Sequence, residues 1–339
     1  MTRSFVYGVL ATTIFAAASG AQTVSPSCPP GSSVGGIPDA QMASQDACQK
    51  AIDLFQFLAP QLGTVLAGGN ATLGQAGTLG GLGHIMMSAR ANVLSGKIPQ
   101  IDKVTPVATG ATSSNYPVKT QVIGLPQIDA AIGLFKGIPL GVSNVGGLDL
   151  LVSAEYLPSV TSGSVNVDVP NGSLKLGFGG RLGLIQESII TPGVSVTYLR
   201  RDLPTANIRA TTGNDSLRIN GLEVRTKAWR IVANKSLLLF GLAVGAGRDN
   251  YTSKGNISAY VAPRIGGNPT AVSAGPIPLE QNLTRTNYFA DLSINLFLLK
   301  IIGEVGRVSG GTVNTYNTFS GNRADDARTY GTIGLRFGR

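Results

Sequence analysis

Charge is scarce in this chain: 13% of its residues are Asp, Glu, Lys or Arg, where a water-soluble domain carries about 25%. Histidine occurs once, at His84, and cysteine twice, at Cys28 and Cys48. That set is too small for a zinc centre of Cys and His ligands. No phosphate-binding glycine loop, zinc motif or nucleotide fingerprint is present, so no cofactor is expected. Long apolar runs are missing as well. Beyond residue 21 the longest is Leu237–Gly247, well short of the ~20 residues a membrane-crossing helix needs. Disorder is excluded too, because β-branched and leucine-rich stretches fill the chain.

What the chain does have is 45 glycines, a positive mean hydropathy of +0.18, and apolar residues at every second position. In Ser173–Leu184, Leu174, Leu176, Phe178, Leu182 and Leu184 share one face, and Lys175, Gly177, Gly179, Arg181 and Gly183 share the other. A period of two is that of a strand. The pattern returns in Val194, Val196 and Tyr198, and again in Ala290, Leu292, Ile294 and Leu296. High apolarity without long apolar runs, and a second face of Gly, Ser, Thr and Asn, fit a transmembrane barrel whose strands are lipid-facing on one side. Turn signals such as Pro170-Asn171-Gly172 and Thr191-Pro192-Gly193 separate about twelve candidate strands, 163–170 and 255–263 among them, with ten to fourteen compatible and an even number expected. The expected fold is all-β: a transmembrane antiparallel β-barrel over 81–339, after a short N-terminal helical segment.

The start of the chain sets the compartment. Arg3 precedes an apolar run over 5–18, and Ser19-Gly20-Ala21 places small residues before Gln22. This is the pattern of a secretory signal, so residues 1–21 are read as cleaved and the barrel as exported to the bacterial outer membrane. In an oxidising compartment the two cysteines are expected to form a Cys28–Cys48 disulfide.

Between Gln45 and Ala67 the residues Cys48, Ile52, Phe55, Ala59, Leu62 and Leu66 recur at helical spacing. Asp46 is the expected cap, Pro60 is expected to kink or restart the helix, and Gly68-Gly69-Asn70 to end it. Residues 22–80 therefore form either a periplasmic helix against the barrel end or a plug in the lumen.

At the C-terminus Ile333, Leu335 and Phe337 share a face opposite Tyr330, Thr332, Gly334 and Arg336. Tyr330, Ile333, Leu335 and Phe337 resemble the C-terminal strand by which outer-membrane barrels are recognised by the barrel-assembly machinery, though Gly338 and Arg339 follow the aromatic. Residues 57–102 (FLAPQLGTVLAGGNATLGQAGTLGGLGHIMMSARANVLSGKIPQID) and 125–158 resemble an uncharacterised bacterial outer-membrane β-barrel family. The arrangement is also similar to long-chain fatty-acid transport porins, in which an N-terminal hatch fills a barrel and hydrophobic molecules pass through. Those hatches carry an Asn-Pro-Ala motif; here Asn70-Ala71-Thr72 stands near the comparable place without the proline.

The charge of +9 is dispersed, which argues against a nucleic-acid partner. Arg200-Arg201, near a strand end, reads either as a solvated loop charge or as a pair facing membrane lipid or lipopolysaccharide phosphates. His84, Ser88, Arg90, Lys175, Arg181, Arg225, Lys227, Glu304 and Arg336 are the candidate lumen residues, the cations favouring anions or pairing with Glu223 and Glu304. His84 and Ser88 share a strand face, but four residues along a strand is about 13 Å, beyond hydrogen-bond reach, so no catalytic residue is assigned. The expectation is a passive channel for small solutes, hydrophobic ones included, gated by the N-terminal segment. The alternatives are a non-conducting structural or interaction barrel and, third, an outer-membrane enzyme.

Overall fold

The computed structural model describes residues 23–29, 39–163 and 165–338; the signal-peptide assignment to 1–21 lies outside them. One helix, α1 (Ala40–Ala67), precedes the strands. Among the described residues ten strands close into a ring: β1 (Ile85–Pro99), β2 (Val118–Phe135), β3 (Gly147–Tyr156), β4 (Leu174–Ile185), β5 (Gly193–Asp202), β6 (Asp215–Leu237), β7 (Phe240–Val261), β8 (Val272–Leu296), β9 (Leu299–Ser309) and β10 (Arg328–Gly338). Each pairs antiparallel with its sequence neighbour. The ring closes where β1 meets β10, from Met86↔Gly338 to Leu94↔Tyr330. Closure leaves no unpaired edge, which a lipid environment requires of a sheet.

The ring holds ten strands rather than twelve because two expected segments lie elsewhere. The 255–263 segment continues β7 without a break. The 163–170 segment supplies a short strand, Val165–Asp168, that pairs outside the ring with Ala206–Thr212, itself hydrogen-bonded to β6. Periodicity marks a strand but is blind to which sheet position it takes.

Alternation places the apolar side chains outside. Leu174, Leu176, Phe178, Leu182, Leu292, Ile294, Ile333 and Leu335 are all exposed, which is stable only against hydrocarbon. Aromatic rings border this belt at both heights. Phe135, Phe240, Phe297 and Phe337 lie at one end, and Tyr156, Trp229 and Tyr288 at the other, all exposed; half-buried Tyr198 lies 4.7 Å from Trp229. Between Phe297 and Tyr288 the chain climbs about 23 Å, taking a ~3.4 Å rise and ~40° tilt, close to the ~25 Å apolar band of outer-membrane barrels.

The two ends differ. At the Phe end β6–β7 and β8–β9 turn within two residues, at Leu238-Leu239 and Phe297-Leu298. At the Tyr/Trp end the connections are long, as over 100–117, 157–173 and 310–327. Short turns mark the periplasmic end and long loops the outer end of such barrels. The architecture is that of an outer-membrane β-barrel.

The helix α1 begins earlier than the spacing suggests. Asp39 is the cap, accepting from Met42 N at 2.8 Å, whereas Asp46 is internal, buried and paired with Lys50 at 2.5 Å. Helix geometry continues through Pro60. Proline removes the N–H that would have bonded the carbonyl of residue 56, and Gln281 Nε2 on β8 donates to that Gln56 carbonyl at 3.1 Å instead.

Candidate functional site

Helix α1 lies inside the ring, against the inner faces of β1, β2, β5, β6, β7, β8 and β10. Its polar side is buried as thoroughly as its apolar stripe: Asp46, Gln49, Lys50, Asp53, Gln61 and Thr64 are all covered. An amphipathic helix ordinarily leaves one face to water; here the outer loops and, deeper down, the lumen wall take that place. Asp53, for example, accepts from Asn317 N at 2.7 Å and Asn317 Nδ2 at 2.6 Å in the β9–β10 loop.

The helix ends at Gly68, whose φ of +58° suits glycine. Its last carbonyls have no intrahelical partner, and the wall supplies them. Asn92 Nδ2 donates to Val65 O at 2.8 Å, Gln127 Nε2 to Leu66 O at 3.1 Å, and Arg201 Nη1 to Ala67 O at 2.6 Å. Arg230 reaches Gly68 O at 3.0 Å and Gly69 O at 3.1 Å. Cationic donors at a helix C-terminus also complement its partial negative charge.

From Gly69 to Leu79 the chain makes one turn, with Gln75 N donating to Thr72 O at 3.0 Å, and many of its other buried N–H and C=O groups need partners outside the segment. Glu304 accepts from Gly69 N at 3.1 Å and Asn70 N at 2.7 Å. Asp291 Oδ2 accepts from Asn70 Nδ2 at 2.7 Å and Gly74 N at 2.9 Å. Asn234 Oδ1 accepts from Ala76 N at 3.0 Å and Gly77 N at 3.1 Å. Asp149 accepts from Leu79 N at 3.2 Å. From the cationic side, Arg90 donates to Asn70 O at 2.7 Å, Arg181 to Thr72 Oγ1 at 2.6 Å, and Arg336 to Leu73 O at 2.9 Å.

Those wall charges also hold one another. Arg181 pairs with Asp149 at 2.6 Å, Arg90 with Asp129 at 2.8 Å, Arg201 with Asp129 at 2.9 Å and Glu155 at 3.4 Å, and Arg230 with Asp249. Buried charges are tolerable when paired and hydrogen-bonded, and the segment backbone adds partners for Arg90, Arg230 and Asp149. Small residues on the inner face serve close packing. A Cβ on Gly193 would stand 2.6 Å from Asn234 Oδ1 and 3.1 Å from Gly77 N.

Of the candidate lumen residues, Ser88, Arg90, Arg181, Glu304 and Arg336 point inward and are buried. The other four do not. Arg225 and Lys227 lie on the outer face of β6, where inward positions are the even ones, Val224, Thr226, Ala228 and Arg230. Arg225 pairs with Asp202 at 2.6 Å, and Lys227 is exposed beside Arg200. Lys175 has inward parity but is exposed at the outer end of β4. His84 precedes β1 and is exposed at the periplasmic rim, its Nδ1 3.3 Å from Gly81 O. The expected cation partners of the acids also differ: Glu304 meets backbone N–H groups, and Glu223 is exposed on the outer face opposite Lys254. Adjacent Arg200 and Arg201 part ways, Arg200 facing out and Arg201 fully buried inside.

Sequence reasoning missed Asp129, Asp149, Arg201, Arg230, Asn234, Asp249, Asn287 and Asp291. The signal was uneven: Ser195 and Thr197 mark the face that Arg201 shares, whereas Arg230 shares its face with Val224, Ala228 and Val232, where alternation gives no polar side.

On the outer side of this lock lies an apolar cavity of 280 Å³ between α1 and the wall, lined by Phe55, Leu58 and Leu62 of the helix and Ile123, Ile208 and Leu222 opposite. A second space of 120 Å³ shares Leu62, Ile123, Ile208 and Leu222 with it and extends toward Val65 and Leu125. No charged or hydroxyl-bearing side chain lines either space. Cys28 and Cys48 are disulfide-bonded with Cα atoms 5.6 Å apart, tying Thr23–Pro29 to the outer part of α1.

No family model matches the chain, and no curated protein does. Solved structures do. The transport unit of the autotransporter AIDA-I from Escherichia coli is 10% identical, over 86% of this chain and 98% of that one, at a TM-score of 0.38. The Ralstonia pickettii toluene transporter TbuX is 12% identical over 81% and 73%, at 0.28. The CymD monoaromatic hydrocarbon channel is 11% identical over 90% and 98%, at 0.25. Each is an outer-membrane barrel, and at these scores the likeness carries no argument about activity.

Proposed function

We propose that this outer-membrane barrel is a passive conduit for small apolar molecules, closed in this conformation by residues 68–80. The observation that carries the reading is the wholly apolar cavity between α1 and the wall. A space of roughly 300 Å³ or more is the usual size of a small-molecule site, and the paired cavities reach that scale. They lie at the outer end, where a solute arriving from outside meets them before the polar lock. Displacing residues 68–80 toward the periplasm opens the lumen below.

The test is conductance and uptake. In planar bilayers the full-length protein is expected to stay closed, and a variant lacking residues 22–80 to conduct. A folded barrel silent in both forms refutes the conduit. Leu222→Trp, which fills the cavity, is expected to lower uptake of an uncharged aromatic probe into liposomes at least several-fold while leaving the barrel folded.

The density of hydrogen bonds to residues 65–79 favours a second reading, a permanently sealed structural barrel; silence of the deletion variant would select it. Catalysis has no part in either reading. Exposed Arg200, Lys227 and Arg248, at the height of Tyr198 and Trp229, are proposed to meet lipopolysaccharide phosphates. The exposed Ile333, Leu335 and Phe337 are proposed to meet the barrel-assembly machinery.

A further inference from the structure

The direction of α1 decides which side of the membrane the N-terminal segment occupies. Its first turns touch only outer-end elements. Asp39 N donates to Ala108 O at 3.0 Å in the β1–β2 loop. Ser44 Oγ donates to Ser273 O at 2.9 Å, at the outer start of β8. Asp46 accepts from Val107 N at 2.7 Å and Thr112 N at 3.0 Å.

Later residues meet the wall at successively deeper levels. Gln61 reaches Lys97, Val65 reaches Asn92, and Gly69 reaches Glu304. Thr78 then reaches Gln186 in a periplasmic connection, and the chain enters β1 beside the Phe337 end of β10. The helix α1 ends where Arg230 and Asn287, neighbours of Trp229 and Tyr288 in the outer girdle, meet Gly68 O, and residues 69–80 continue from there across the belt. The chain therefore traverses the lumen once, from outside to inside.

We infer that Thr23–Pro29, fixed to α1 by the Cys28–Cys48 bond and by Ser25 N donating to Gln49 Oε1 at 2.6 Å, stands on the outer face of the membrane. The barrel thus displays its own N-terminal segment, Thr23–Pro29, at the cell surface. Because both the strands and this segment start on the periplasmic side after export, α1 passes outward through the lumen during assembly. Two observations combine to fix the sidedness: the contrast of two-residue turns with long loops tells the outer end from the periplasmic one, and the ordered descent of contacts along α1 puts its start at the long-loop end.

An epitope inserted between Gln22 and Thr23 of the full-length protein tests this. References are the same epitope in the β5–β6 loop at Gly213-Asn214 and in the β6–β7 turn at Leu238-Leu239. On intact cells the N-terminal epitope is expected to bind antibody as well as the Gly213-Asn214 epitope, while the turn epitope reads only after permeabilisation. An N-terminal epitope that reads only after permeabilisation, alongside the turn epitope, overturns the inference. Should an inserted epitope prevent folding, single cysteines carry the test. In a Cys28→Ala, Cys48→Ala background, exposed Ser27→Cys is expected to react with a membrane-impermeant maleimide on intact cells, as Asn214→Cys does. Labelling of Ser27→Cys only after permeabilisation, as for Leu238→Cys, overturns the inference equally.

Discussion

Glu304 holds the backbone of Asn70: its Oε2 accepts from Asn70 N at 2.7 Å, while Oε1 takes Gly69 N at 3.1 Å. A glutamate on β9 thus captures consecutive N–H groups just past the end of α1. Charge-assisted acceptance by a buried carboxylate is strong, and its removal leaves buried donors without partners.

Glu304→Gln replaces one acceptor oxygen with a donor facing Gly69 or Asn70. The expected cost is about 1–3 kcal/mol in holding the lumenal segment. Faster hydrogen exchange at 68–80 than in the native protein, with strand protection unchanged, is the expected result. Unchanged exchange there would show that Glu304 does not hold the segment.

Arg230→Met leaves Asp249 buried without its guanidinium and frees the Gly68 and Gly69 carbonyls from it. Breaking one side of a buried pair costs about 3–5 kcal/mol. The barrel should lose its heat-resistant compact migration on gels at a lower temperature than the native form. The double variant Arg230→Met, Asp249→Leu should recover part of that loss.

Gln281 and Pro60 form a testable pair. Gln281→Leu removes the donor to Gln56 O, at an expected cost of about 0.5–1.5 kcal/mol. Pro60→Ala returns a helix N–H to that carbonyl. In a double-mutant cycle the Gln281→Leu penalty should shrink in the Pro60→Ala background; equal penalties in both backgrounds would refute the compensation.

Opening the Cys28–Cys48 bond frees a loop whose ends are 20 residues apart, worth roughly 3 kcal/mol in the chain-entropy model. The effect should be local. Reduction is expected to raise proteolysis around 23–45 and to leave the strand ring folded, as read by far-UV circular dichroism.

Phe337→Ser exchanges a lipid-exposed aromatic at the β10 end for a polar group. Buried interior contacts are untouched, so thermal stability of assembled barrel should change by less than about 1 kcal/mol. The amount assembled in the outer membrane should fall several-fold. An unchanged yield would dismiss the recognition role proposed for this strand end.

Much of the architecture was legible in the residues. The alternation of Leu174, Leu176 and Phe178 with Lys175 and Gly177 fixed a two-faced strand, because successive side chains point to opposite sides whatever the fold. The same logic gave the inward placement of Ser88, Arg90, Arg181, Glu304 and Arg336. It failed for Arg225 and Lys227, where even positions of β6 face the lumen. One position of parity separates lipid from lumen, and basic side chains above the apolar belt can sit on the outer wall.

Local pattern alone therefore determined the strand period, the barrel class and the helical stripe around Phe55. The ten-strand count, passage through Pro60 and burial of both helix faces were decided by tertiary structure. Their physical reason is common to all three. Each depends on which distant group satisfies a backbone N–H or carbonyl, as Gln281 does for Gln56 and Glu304 for Asn70, and such partners come together only once the ring has closed around the chain.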